Sequence, residues 1–421
     1  MASETRVTGL GGEAQLEAST PAPVSVSVQD KLPPPQFLPS DGLTQWLEET
    51  GGNLILSTYQ SGRLIFLYVV DGGLHVLDRV VGTAMGLAVD GEKLWVGNRE
   101  QIWKFANTGP AMVDGKGYGA VYMPRKGYFV GPCDTHDILA DVEFMGEHHE
   151  LVFANTNFSC IAALDEQYNF RPLWAPDFVS ALAVEDRCHL NGIGARDGRV
   201  AYATICGRYD EPVGWRTTRN GGGMVIDLDS GEVMAQGLSM PHSPRWYRDR
   251  LWLLNSAAGE FGYVDPERGG FVPVADCPGF ARGLAFVGDY AVIGLSQLRP
   301  NSFGKGMALH DKLAAGQIQQ RCGLQIIDLR TGRNAHWLTI AGPVTELYDV
   351  AFKPDIRRPY SPGFREGYLH QQRVHLPDGP FQHPYKGKLQ LLRTQPPERP
   401  ATELGGQTGD ASKEAGAPAK T

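Results

Sequence analysis

The middle of the chain reads as short apolar runs separated by Gly, Asp, Asn and Pro, and the runs recur in one order. A first strand crosses a turn to a second ending in a polar residue, then come a third and a fourth. MGLAVDG, KLWVGN and QIWKFAN form one such unit, and HDILADVEF, HELVFANT, FSCIAALD and FRPLW the next. The third holds HLNGIGARDG, RVAYATICG, GGMVIDLDSG and EVMAQGL; the fourth SPRWYRD, RLWLLNS, GEFGYVDPERG and FVPVADC; the fifth RGLAFVGD, YAVIGLS, GLQIIDLRTG and NAHWLTI. β-Branched and aromatic residues bounded by turn formers predict strands, and regular recurrence predicts a repeat architecture.

Two fragments complete the pattern. VTELYDVAF is a lone first strand, whereas NLILSTY, LIFLYVV and LHVLDRV are three strands lacking one. Joining them predicts an all-β, six-bladed β-propeller closed by pairing of N- and C-terminal strands, which leaves no long open edge. Seven blades, or a pair of β-sandwiches, are the alternatives. The propeller is expected over 38–362, between disordered tails at 1–37 and 394–421 that are poor in apolar residues, with a C-terminal extension at 363–393 packed on or near it. A short helix at about 42–50, opening at Asp41 with apolar Leu43, Trp46 and Leu47, is expected on the outside.

Three histidines sit at equal intervals before first strands: His136, His189 and His242, 53 residues apart each time. Equivalent positions of repeated units converge in space, so the imidazoles are expected to face one another. Alignment of the units places Thr83, Asp134, His189, His242, Phe280 and Glu346 in one channel layer, with Met85, His136, Asn191, Pro244 or Arg245, Arg282 and Tyr348 two residues deeper. A slip of one residue is the alternative register. Long insertions at 207–223 and 297–321 are expected to overhang the same rim.

Neutral imidazoles with a carboxylate suit a divalent transition metal such as zinc or iron, so His136, His189, His242 and Glu346 are the candidate metal ligands. Arg245 and Arg282 offer bidentate forks for an anionic group, and Asn191 and Asp349 complete the candidate ligand-binding set. Each histidine alone has a bland reading as a hydrogen-bonded buried residue, and Arg282 has one as a partner of Glu346 or Asp349. Cys188 beside His189 reads as an inert buried thiol, and Glu185 and Asp186 read as turn residues.

A net charge of −8 without a basic stripe argues against nucleic acid as partner, and no run is long and apolar enough to span a membrane. Six cysteines without a C-x-x-C pair, in a chain opening MASETRVTGL, imply reduced thiols and a cytoplasmic setting. A small anionic ligand is the expected partner, and a protein partner is possible.

The motifs EDRCHLNG, GLSMPHSPRWY, CPGFARGLAF and ELYDVAF, with STYQSGRL and WVGNREQIWKF, resemble a family of bacterial conserved hypothetical proteins over about residues 38–362. That resemblance implies propeller-like order and supplies no reaction. More broadly the chain is similar to metal-dependent lactonase and strictosidine-synthase-like six-bladed propellers, which hold metal through Glu, Asn and Asp where this chain offers His. Two functions follow as expectations: a metal-dependent enzyme acting on a small anionic metabolite or modified peptide, or a non-catalytic propeller binding a protein or ligand on the same rim.

Overall fold

The computed structural model describes residues 34–299 and 306–364, together with the backbone of 374–376 and 379–381. The chain divides into two units, residues 1–364 and 365–421. Of the second unit, the described part is a hairpin of Val374–Leu376 and Gly379–Phe381. Residues 1–33 of the expected N-terminal tail, the expected tail at 394–421 and most of the expected extension lie outside the described residues.

In the first unit the repeated runs pair in chain order into curled, mainly antiparallel sheets. Pro241–Tyr247, Arg250–Asn255, Glu260–Asp265 and Gly270–Asp276 are the plainest example. Asp349–Lys353 pairs with Asn53–Thr58, ahead of Arg63–Val70 and Gly73–Val80, so one sheet draws its strands from both ends of the repeat region. The first strands Leu87–Asp90, Thr135–Phe144, Leu190–Arg196, Pro241–Tyr247, Phe280–Val287 and Asp349–Lys353 each contact the next, and the last contacts Leu87–Asp90. The architecture is all-β and propeller-like.

Four details depart from the sequence expectation. Gln36 and Phe37, placed in the tail by composition, belong to the strand Gln36–Pro39, which adds a fifth strand beside Arg333–Ala341. The unit opening at Met85 gains its fourth strand as Ala120–Phe129, beyond a small hairpin of Ala111–Val113 and Lys116–Tyr118. A single pairing, Glu143 with Arg199, links the sheets of the second and third units. The helix Leu43–Glu49 buries Leu43, Trp46 and Leu47 as expected, but left-handed Gly42 (φ 81°), not Asp41, occupies its N-cap.

Apolar clusters fill the spaces between neighbouring sheets. Leu56, Ile65 and Leu67 meet Val292, Leu324 and Ile326, and Trp252 and Phe261 meet Ala281, Leu284 and Ile293. Each such side chain contributes about 1.5–3 kcal/mol by leaving water. Nearer the axis, hydroxyls take over. Ser57 Oγ donates to Met85 O at 2.5 Å, Thr156 Oγ1 to Leu190 O at 2.6 Å, Ser256 Oγ to Ala281 O at 2.7 Å and Ser296 Oγ to Leu347 O at 2.8 Å. In each case the end of a second strand satisfies a carbonyl at the start of the next unit's first strand, where an orphaned group would cost about 1–3 kcal/mol.

First strands also approach one another too closely for side chains at some points. A Cβ on Gly283 would lie 2.5 Å from Val350 N and 2.6 Å from Asp349 Cα, and its φ is +77°. Left-handed backbone costs an L-residue about 1–2 kcal/mol and overpacking about 1–3 more. Gly283→Ala should therefore lose about 3 kcal/mol in denaturant unfolding; a loss below about 1 kcal/mol would contradict this packing.

Candidate functional site

Strand register defines which residues are equivalent. Thr135 pairs with Asn155, Leu190 with Ile205 and Pro241 with Asn255, in each case at the end of a second strand. The residues before them, Asp134, His189 and Met240, all have left-handed backbone (φ 51°, 51° and 49°). Those after them are His136, Asn191 and His242. The hydroxyl bonds described above carry the same register to Arg282, Tyr348 and Gly86.

The inner layer is thus Gly86, His136, Asn191, His242, Arg282 and Tyr348. Sequence alignment put His242 beside His189 and Met85 in place of Gly86. The error arises because the first strands carry β-bulges between Thr135 and Ile138 and between His242 and Arg245, which break the spacing on which the alignment relied.

His136 and His242 are held alike. His136 Nδ1 lies 2.8 Å from Asp134 O and 2.8 Å from Thr156 Oγ1, whose own hydrogen goes to Leu190 O. His242 Nδ1 lies 2.9 Å from Met240 O and 2.9 Å from Ser256 Oγ, whose hydrogen goes to Ala281 O. His136 Nδ1 faces acceptors, so it carries the proton and leaves Nε2 with the lone pair; His242 Nδ1 has the same two kinds of acceptor at 2.9 Å and the Asn191 amide nitrogen farther off at 3.2 Å. Burial pushes His136 down to about 4, partly opposed by Asp134, and burial with the Arg282 charge holds His242 well below the ordinary imidazole range. Both rings are neutral near neutrality.

His189 is held differently. Its Nδ1 is 2.8 and 3.0 Å from the two oxygens of Asp186, which also accepts Trp215 Nε1–H at 2.9 Å. The Trp215 ring stacks on His189 at 4.1 Å, and His136 meets His189 edge-on at 4.8 Å. A carboxylate that fixes one ring nitrogen leaves Nε2 set for proton transfer. Cys188, by contrast, is fully buried, and burial pushes its thiol up to about 12.

His136, His189 and Arg282 line a cavity of about 660 Å³ with Tyr59, Arg99, Asp134, Val184, Asp186, Val213, Trp215, Arg216, Arg299 and Tyr348 among its walls. The other expected residues are committed elsewhere. Glu346 forms a two-point ion pair with Arg299, both bonds 2.8 Å. Arg245 makes a two-point ion pair with Asp137 at 2.9 Å and also donates to Ile193 O. Burial works against the Arg245 charge, but attraction and hydrogen bonding to Asp137 outweigh it and raise its pKa. Asn191 donates to Pro241 O, and Asp349 accepts from the amides of Leu87 and Val350. The expected ligand set His136, His189, His242 and Glu346 is not assembled. Among the described residues no three His, Cys, Asp or Glu side chains form a metal-holding group.

Arg282 stands apart. It is 8% exposed, its guanidinium lies 4.9 Å from the Tyr348 ring centroid and 5.0 Å from that of Phe280, and among the described residues it has no carboxylate partner. Its Nε, the Tyr348 hydroxyl, the Asn191 oxygen and His242 Nε2 are buried without hydrogen-bond partners among the described residues. Composition and spacing passed over Arg99, Arg299, Tyr59 and Trp215, and read Asp186 as a turn residue. The one sequence signal for Asp186 was its place three residues before His189.

A family model described as a domain of unknown function, DUF4915, matches residues 41–361, and the chain belongs to that family. No curated protein matches it. Among solved structures, the Nidogen/Laminin complex is 12% identical, with 72% of this chain and 99% of that one covered and a TM-score of 0.45. Apo AztD from Citrobacter koseri is 10% identical over 72% of this chain and 98% of that one, with a TM-score of 0.37. No helix among the described residues is long and apolar enough to cross a membrane.

Asp349 supplies a pH test of the axial charges. Burial, partly opposed by Arg245 and reinforced by Asp137, pushes its carboxyl up to about 7. Between the unfolded value near 4 and this folded value, the native state binds the extra proton, so the Asp349 contribution to stability falls as pH rises through that window. Asp349→Asn should gain on the parent protein in chemical unfolding as pH goes from 5 to 8. A difference that is flat across this range would contradict the assignment.

Proposed function

We propose that the protein binds a small anionic ligand in the His136–His189–Arg282 cavity and moves a proton to or from it through His189. The observation that carries this reading is Arg282, a buried guanidinium held between two aromatic rings with no carboxylate partner among the described residues. An isolated buried charge is costly, and an incoming anion would supply its counter-charge. Arg216 adds positive charge to the wall, as does Arg99, which lies 3.7 Å from Asp134. Neutral His136 offers an acceptor at Nε2 for a donor on the ligand. His189, oriented by Asp186 and covered by Trp215, is the base for a separate ligand proton, which its Nε2 takes up to give the imidazolium held by Asp186.

A bound divalent transition metal is a second reading. It is favoured by the commitment of Nδ1 on His136, His189 and His242, which leaves Nε2 of each as a lone-pair donor, and by the carboxylate behind His189. The Arg282 charge, which already disfavours a proton on His242, works against a second cation there. Metal analysis of untagged protein tests it: this reading expects near-stoichiometric metal that is lost from a His136→Ala, His189→Ala double variant.

We also propose that the sheets close as one six-bladed ring, supported by the cyclic succession of first strands, and that the setting is cytoplasmic, supported by six cysteines that are all buried and unpaired.

Arg282→Met tests the anion site. Removing an uncompensated buried charge should raise the melting temperature of the free protein. It should also abolish the melting-temperature increase that phosphate or acetate gives the parent protein. An equal anion response in both proteins would overturn the proposal.

A further inference from the structure

The anion reading leaves one wall of the cavity unexplained. Val184 and Val213 line it and are 55% and 39% exposed. They come from separate segments joined by a bond from Val213 N to Glu185 O at 2.9 Å. Val213 also has φ 49° and ψ 24°, a left-handed conformation that Gly or Asn adopts readily and a β-branched residue does not. It immediately precedes the turn Gly214–Thr218 that lays Trp215 on His189. A strained, exposed valine is a poor choice for stability, because an Asn there would relieve the backbone.

We infer, building on the anion reading, that the ligand is amphiphilic: an anionic head neutralised by Arg282, carrying a short aliphatic or aromatic arm that packs on Val184, Val213 and the exposed face of Tyr59. Burying apolar surface at this lip would bring the two valines out of water and supply affinity that the head group alone lacks.

Titration calorimetry of the full chain with acetate, hexanoate and 3-phenylpropionate tests this. The parent protein should bind hexanoate and 3-phenylpropionate at least about tenfold more tightly than acetate, the scale expected for burying a few methylenes. Val213→Asn, and separately Val184→Ser, should shrink that preference several-fold while leaving acetate affinity unchanged, and Val213→Asn should melt no lower than the parent. If acetate binds and the longer acids bind no better, the apolar arm is refuted and the anion site stands. If none of the acids binds, the anion site fails and this inference with it. Should Val213→Asn instead lose stability and weaken all three acids alike, Val213 is a structural residue and the inference is overturned.

Discussion

The ion pair between Asp137 and Arg245 sets the terms for everything near the axis. Its two 2.9 Å bonds run from the first strand of one sheet to that of the sheet two places on, and Arg245 also donates to Ile193 O on the strand between them. Three sheets are thereby fixed in relative height. Breaking such a buried pair from one side is strongly destabilising, at about 3–5 kcal/mol, because the remaining charge is stranded. The pair also consumes the nearest cation. Asp349 is raised to about 7 by burial, which the attraction of Arg245 only partly opposes and the Asp137 charge reinforces. Toward the cavity the imbalance has the opposite sign: Glu346 is taken by Arg299, and Arg282 lies between two aromatic rings with no carboxylate partner among the described residues.

Polar satisfaction explains why the repeats look alike without being alike. A hydroxyl at the end of the second strand recurs as Ser57, Thr156, Ser256 and Ser296, because a carbonyl of the next first strand must be met wherever sheets abut. At Thr156 and Ser256 the same oxygen also receives His136 or His242 Nδ1, so a structural bond doubles as the device that sets the tautomer. In the third unit Cys206 stands at this position and Asn191 reaches to its sulfur, which leaves the Asn191 oxygen without a partner among the described residues.

How much of this was legible depended on range. The strand runs, the complementary fragments at the two ends and the amphipathic face of Leu43, Trp46 and Leu47 are local patterns, and they correspond to observed elements. The convergence of His136 and His189 was expected from recurrence along the chain, and their rings lie 4.8 Å apart although the two residues are not equivalent in the repeat. What failed was register. Equal 53-residue spacing suggested that three histidines occupy one position, but bulges and unequal insertions lie between them, and only His136 and His242 are equivalent. Pairings such as Arg299 with Glu346 and Arg245 with Asp137 join residues far apart in sequence, with nothing in spacing or composition to single out one carboxylate over another. Trp215 sits in an insertion outside the repeat, so no periodicity points to it.

The odd histidine is the informative one. At the left-handed position the other two units place Asp134 and Met240, whose carbonyls turn inward to accept His136 and His242 Nδ1. The third unit puts the imidazole at the left-handed residue itself, and an Asn takes the inner place. A side chain on left-handed backbone leaves in a direction the regular strand does not offer, so His189 reaches the cavity and needs a support from outside the repeat. Asp186 and Trp215 provide it, one by hydrogen bond and one by stacking. A ring evolved only to hold neighbouring strands together would have no use for that extra scaffolding, whereas a proton-transfer group must be held in one orientation against the pull of solvent. The departure from the repeat, rather than the repeat itself, is what supports the proposed proton transfer.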